Sequence, residues 1–153
     1  LDKNTPHLYL REIEFALARE CYKDAIAFAK KVIAEWKNSF SGHFLLAVSL
    51  IRANLLNDAR DLIQKINDKF SNHVDGKNTL SVMLFLKQQK NREAYNLLSE
   101  FIDQENYKYK SLKRECLFKL INDPVLNKST KDQYKIELDT IDVVEDDVFI
   151  ISD

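Results

Sequence analysis

With 153 residues, 45% of them apolar and 31% charged, the chain fits one soluble domain able to bury a sizeable core. Gly and Pro occur only twice each, and sheet turns and bulges lean on glycine, so helices joined by short polar loops are expected. No stretch approaches 18 consecutive apolar residues, which excludes a membrane-spanning helix from the expectation.

The net charge of −1 hides an asymmetry. Residues 139–153 carry six acidic side chains and no basic one, which leaves 23 basic against 18 acidic residues in the rest. A mildly basic body with an acidic tail is thus expected. The two cysteines, Cys21 and Cys116, are far apart, and His7, His43 and His73 are scattered. That pattern predicts reduced thiols, an intracellular (cytoplasmic or nuclear) setting and no metal site. The chain starts at Leu1 without a methionine, and no basic-then-apolar signal sequence follows, so a processed chain or a piece of something longer is expected.

Thr5-Pro6 predicts a helix start, with Thr5 as cap and Pro6 at the first helical position. Leu8, Tyr9, Ile13, Ala16 and Leu17 then recur at helical spacing to about Glu20. A second helix is predicted from about Tyr22 to Trp36, with Ala25, Phe28, Ala29, Val32 and Ile33 on one stripe. The break between the two is so short that they must be antiparallel neighbours. Residues 38–42 are expected to form a loop before a third helix carrying Phe44, Leu45, Ala47, Val48, Leu50 and Ile51. A turn near Asn54 precedes a fourth helix with Ala59, Leu62, Ile63, Ile66 and Phe70. After an expected loop at 72–76, a fifth helix holds Leu80, Val82, Met83, Phe85 and Leu86. A turn at Gln89-Lys90-Asn91 leads to a sixth with Ala94, Leu97, Leu98 and Phe101.

Asp24-Ala25, Asp58-Ala59 and Glu93-Ala94 open the second helix of each pair, and these alanines lie 34 and then 35 residues apart. A period near 34 built from helix pairs resembles the tetratricopeptide (TPR) repeat. In that register Ile13, Ala47 and Val82 take the position that TPRs give to glycine, and Leu46-Ala47 resembles their Leu-Gly pair. Tyr22 and Leu56 take the turn aromatic position, where Asn91 departs from the pattern, as do the bulky Ile13 and Val82 and the missing helix-ending prolines. The resemblance covers residues 6–103. It implies an all-α, right-handed TPR-like solenoid with repeats at about 6–37, 40–71 and 75–104, within a helical domain of residues 1–141.

Beyond Asp103 the register fades. Residues 107–121 predict an amphipathic helix with Leu112, Cys116, Leu117 and Leu120 on one stripe, suited to covering the last repeat. Asn122-Asp123-Pro124 ends it. A final helix at about 129–140 is predicted, with Thr130 and Gln133 as a capping box and Tyr134, Ile136, Leu138 and Ile141 on its apolar side.

Residues 142–153 form an acidic apolar tail, expected to be extended because it is rich in Val, Ile and Phe. Val148, Phe149, Ile150 and Ile151, flanked by Asp146 and Asp147, resemble a SUMO-interacting motif, which implies a SUMO-like partner. The TPR resemblance further implies a concave groove lined by Leu10, Glu14 and Leu17; by Phe44, Val48, Ile51 and Arg52; and by Thr79, Met83, Leu86 and Lys87. Leu10 and Glu14 stand where chaperone-binding TPRs place the first Lys and Asn of a carboxylate clamp, so that clamp is absent. The groove is expected to be apolar with a basic edge, and to take an apolar, acidic segment such as the chain's own tail, in cis or on a neighbouring copy.

The first hairpin resembles the opening repeats of anaphase-promoting-complex TPR subunits, which dimerise through them, so a homodimer is one mode of assembly that the resemblance implies. The expected function is a non-catalytic scaffold or adaptor for a protein or peptide. No nucleotide-binding glycine loop, metal spacing or nucleophile motif points to an enzyme or a cofactor. The alternatives are a SUMO-binding regulator acting through the tail and a nucleic-acid-associated factor. The latter would use Lys108, Lys110, Lys113, Arg114 and Lys119 with Tyr107 and Tyr109.

Overall fold

A computed structural model of the chain describes residues 6–101 and 109–141. Thr5 and the tail motif Asp146, Asp147, Val148, Phe149, Ile150 and Ile151 lie outside the described residues, as do Tyr107 and Lys108. Among the described residues there are eight α-helices and no strand: α1 (His7–Ala18), α2 (Tyr22–Glu35), α3 (Phe40–Arg52), α4 (Leu56–Lys69), α5 (Val74–Lys87), α6 (Asn91–Phe101), α7 (Lys110–Ile121) and α8 (Lys128–Asp139). None of these helices is long and apolar enough to cross a membrane. The chain divides into two compact units, one up to Leu80 and one from Ser81, with the division inside α5.

Each of the first three helix pairs closes with the same turn. Glu20, Asn54 and Gln89 adopt left-handed backbone with φ of 59°, 63° and 63°. The following amide donates five residues back in every case: Cys21 to the Ala16 carbonyl at 2.8 Å, Leu55 to Leu50 at 2.9 Å, and Lys90 to Phe85 at 2.9 Å. The left-handed residue's own amide reaches three residues back, to Leu17, Ile51 and Leu86. Each is a Schellman closure, which satisfies carbonyls that a helix end otherwise orphans. The next helix then begins with an amide bond from Ala25 to Cys21, Ala59 to Leu55 and Ala94 to Lys90, all at 3.0 Å. The sequence period is therefore a period of backbone conformation. Ala25, Ala59 and Ala94 are all fully buried, as are Ile13, Ala47 and Val82.

In the first unit α1 packs on α2 and α3, α2 on α3, and α3 on α4. Eleven of the thirteen residues of α3 are buried, from Phe40 to Ile51 with only His43 half-exposed in that run. A helix enclosed in this way carries apolar residues all round and shows no amphipathic face. Its start is earlier than the sequence indicates. Residues 40–42 are helical, with the Ser39 hydroxyl accepting from the Gly42 amide at 3.2 Å as the cap. The expected loop at 72–76 likewise gives way to helix from Val74.

The reason lies in the chain's only two glycines, Gly42 and Gly76, which are 34 residues apart. A Cβ on Gly42 would stand 2.8 Å from Val32 Cγ1 and 3.2 Å from Ile33 Cγ2. One on Gly76 would stand 2.5 Å from Phe40 Cζ. Both residues serve close helix approach in the first turn of a helix, and neither marks a loop. Phe40 is in turn held in an aromatic cluster, stacked on His73 at 4.1 Å and 8° and edge-on to Phe70 at 5.4 Å.

In the second unit α6 packs on α7, and α7 on α8. The buried stripe of α7 is Leu112, Cys116, Leu117 and Leu120, as its spacing predicts. At the first helix Pro6 sits at the cap and not inside the helix. For α8 the cap is Asn127, whose Oδ1 accepts from the Thr130 amide at 2.8 Å, in place of the expected Thr130–Gln133 box. No residue of α8 is fully buried, and Ile136 points outward, 68% exposed. Tyr134, Leu138 and Ile141 are half-buried on the other side.

Candidate functional site

The groove positions fall on the first helix of each pair, and in the first unit α1 and α3 do pack together. Leu17, Phe44, Val48 and Ile51 are buried there, while Leu10, Glu14 and Arg52 are half-buried. On α5, Thr79, Met83 and Leu86 are buried and Lys87 is exposed. The Thr79 hydroxyl donates to the Asp75 carbonyl at 2.7 Å, within its own helix. The apolar members of the set other than Leu10 thus stand in the core. The side chains open to a partner are Leu10, Glu14 and Arg52 in the first unit and Lys87 in the second. Periodicity could not separate core from groove on α3, because that helix is apolar on every side.

Three cations of α7 have partners inside their own unit. Lys113 Nζ lies 3.2 Å from Glu137 Oε1, whose other oxygen accepts from the Tyr95 hydroxyl at 2.6 Å. This tie joins α6, α7 and α8, with the Tyr95 ring also edge-on to Tyr134 at 5.4 Å. Burial, reinforced by the bond to Glu137, pushes the Tyr95 phenol from 10.0 up to about 12. Arg114 donates to the Ile141 carbonyl at 3.3 Å, and Lys119 to the Leu86 carbonyl at 3.1 Å. Cations at carbonyls near helix C-termini complement the negative end of the helix dipole. Tyr109 is buried edge-on against Phe101 at 5.3 Å. Lys113, Arg114, Lys119 and Tyr109 therefore have structural partners within their own unit.

Cys21 is exposed and Cys116 fully buried, with the thiol of Cys116 pushed from 9.0 up to about 12 by burial and then by the neighbouring Glu115 carboxylate. No group of three or more His, Cys, Asp or Glu side chains that could hold a metal occurs among the described residues.

Among the described residues, the first unit offers two concavities of similar size. Pro6, Glu35, Trp36, Lys37, Asn38 and Ser39 line an open one of about 450 Å³ at the end of α2. Beside it the Tyr9 ring packs on Trp36 at 5.6 Å. The second, of about 480 Å³, lies over α2, α3 and α4 and is lined by Ile33, His43, Leu62, Lys65, Asp68 and Lys69. Sequence reasoning assigned Ile33 and Leu62 only to apolar stripes. The available signal was Lys65 and Lys69 following Leu62 at helical spacing. On the outer side of α1, Leu8 and Phe15 are 67% and 62% exposed, with the Arg19 guanidinium 5.5 Å from the Phe15 ring.

No family model, curated protein or solved structure matches this chain.

Proposed function

We propose that the chain is a non-catalytic protein-interaction module: a right-handed TPR-like solenoid of three hairpins, closed by α7 and α8, that receives a peptide segment of a partner protein. The observation that carries this reading is the Schellman turn recurring at residues 20, 54 and 89 in step with the buried alanines. Repeats of this kind present a row of equivalent helices, and that row serves as a binding surface. Leu10, Glu14 and Arg52 on the α1–α3 face are the side chains that meet the peptide, and Lys87 holds the third repeat's place by sequence register. The polar outer side of α8, with Lys128, Lys131, Asp132, Lys135 and Asp139, suits a terminal capping helix.

Affinity capture with the full chain tests the reading, set against a Leu10→Asp/Arg52→Glu variant of matched helicity and melting temperature. Specific protein partners retained by the parent and lost by the variant are expected. An identical set on both chains refutes the α1–α3 face as the binding surface.

A further inference from the structure

The recess over α2, α3 and α4 has the chemistry of a receptor for one kind of segment. Its floor is apolar, from Ile33 and Leu62 with His43 beside them, all half-buried. His43 is fixed there by Nδ1, which lies 2.7 Å from the Ser39 carbonyl. Its rim is cationic: Lys65 and Lys69 are exposed one helical turn apart on α4, with Asp68 the single acid among the lining residues. The Lys69 ammonium donates to the Lys37 carbonyl. A volume of about 480 Å³ falls in the range of built ligand sites, roughly 300–1,000 Å³.

We propose that this recess takes the acidic C-terminal segment, residues 142–153, of a second copy of the chain, with Phe149 seated on the Ile33–Leu62 floor and Asp146 and Asp147 facing Lys65 and Lys69. Three observations select that occupant. Twelve residues follow Ile141 beyond the described helices, enough to reach a neighbouring molecule. They carry five acids, no base, and Val148, Phe149, Ile150 and Ile151 in one run. The spacings also agree. Asp146 and Asp147 precede Phe149 by three and two residues, hence by at most about 7–11 Å of chain. Lys65 and Lys69, at i and i+4, hold their Cβ atoms about 6 Å apart beside the floor. A helical recess offers no strand edge, so recognition rests on the seated ring and the paired charges, and weakens with salt.

Sedimentation velocity of the full chain over a wide concentration range tests this. A dimer in concentration-dependent equilibrium is expected. Lys65→Glu/Lys69→Glu, both at exposed positions, raises its dissociation constant about threefold to thirtyfold, the range for two surface ion pairs. Phe149→Asp removes the dimer. Adding Asp146→Lys/Asp147→Lys to the lysine reversal restores it, which mere misfolding cannot do. A chain that stays monomeric throughout overturns the proposal. So does a dimer indifferent to Phe149→Asp, which would place another surface of the second copy in contact, and so does a charge swap that fails to rescue. The variants leave Leu10 and Arg52 untouched, so either outcome stands apart from partner binding on the α1–α3 face.

Discussion

Replacing Gly76 with alanine sets two effects of opposite sign against each other. In a helix interior the change gains about 1 kcal/mol of backbone propensity, and less in the first turn, where Gly76 stands third in α5. Against this, the new methyl would lie 2.5 Å from Phe40 Cζ and 2.7 Å from Cε1. The ring has nowhere to go. It is buried, with His73 stacked at 4.1 Å on one side, Phe70 edge-on at 5.4 Å and Phe44 at 5.9 Å. Overpacking of such a site costs about 1–3 kcal/mol. A net loss of about 1 kcal/mol is expected, read as a lower urea midpoint at unchanged m-value. The decisive measurement repeats the change in a Phe40→Leu background, where the offending ring atoms are gone. There Gly76→Ala becomes neutral or stabilising, with a coupling energy of about 1–3 kcal/mol between the two positions. A stabilising Gly76→Ala in the parent, or the same effect in both backgrounds, refutes the reasoning.

Three further predictions rest on the turns and the buried groups. Glu20→Gly and Gln89→Gly relieve a left-handed backbone that costs most residues about 1–2 kcal/mol, offset in part by a freer unfolded chain. Each stabilises by up to about 1 kcal/mol in denaturant titration, and Asn54→Gly by less, since Asn tolerates that conformation; equal effects at all three positions would contradict this. Cys116 and Tyr95 are both held neutral by the fold, their pKa values raised from 9.0 and 10.0 to about 12. Their contribution is full below pH 9 and is lost as pH rises toward 12, so urea midpoints should fall over that window and change less in a Cys116→Ala/Tyr95→Phe chain. By the same burial, a thiol reagent at pH 8 labels one cysteine in the native chain and two in denaturant.

What the sequence made legible was periodic and local. The alanines at 25, 59 and 94 are fully buried in each helix pair, and the α7 stripe of Leu112, Cys116, Leu117 and Leu120 is buried as its spacing requires. Accessibility was not legible. Phe44, Val48 and Ile51 occupy groove positions in a repeat register, yet α3 is enclosed by α1, α2 and α4, and a helix apolar all round gives no cue to which side stays open. Gly42 and Gly76 were expected in loops because glycine usually breaks helices, although their separation of 34 residues already tied them to the repeat. The partners of the α7 cations within their own unit were not legible either. Lysine and arginine reach across a helix to distant carbonyls, and sequence spacing does not encode those partners.

The enclosure of α3 also bears on how the first unit folds. Apart from Phe40, which meets Gly76 at the start of α5, the helix packs on the two helices before it and the one after it, so most of its burial comes from chain close in sequence. Loops that short close at little entropic cost, and low contact order places folding on the microsecond-to-millisecond scale. A helix that gains its burial from three neighbours at once is also the natural nucleus. Truncations inside α3 should therefore slow folding, whereas equal losses on the outer helices should mainly hasten unfolding. One helix would then govern how quickly the unit is made, and its neighbours how long it lasts.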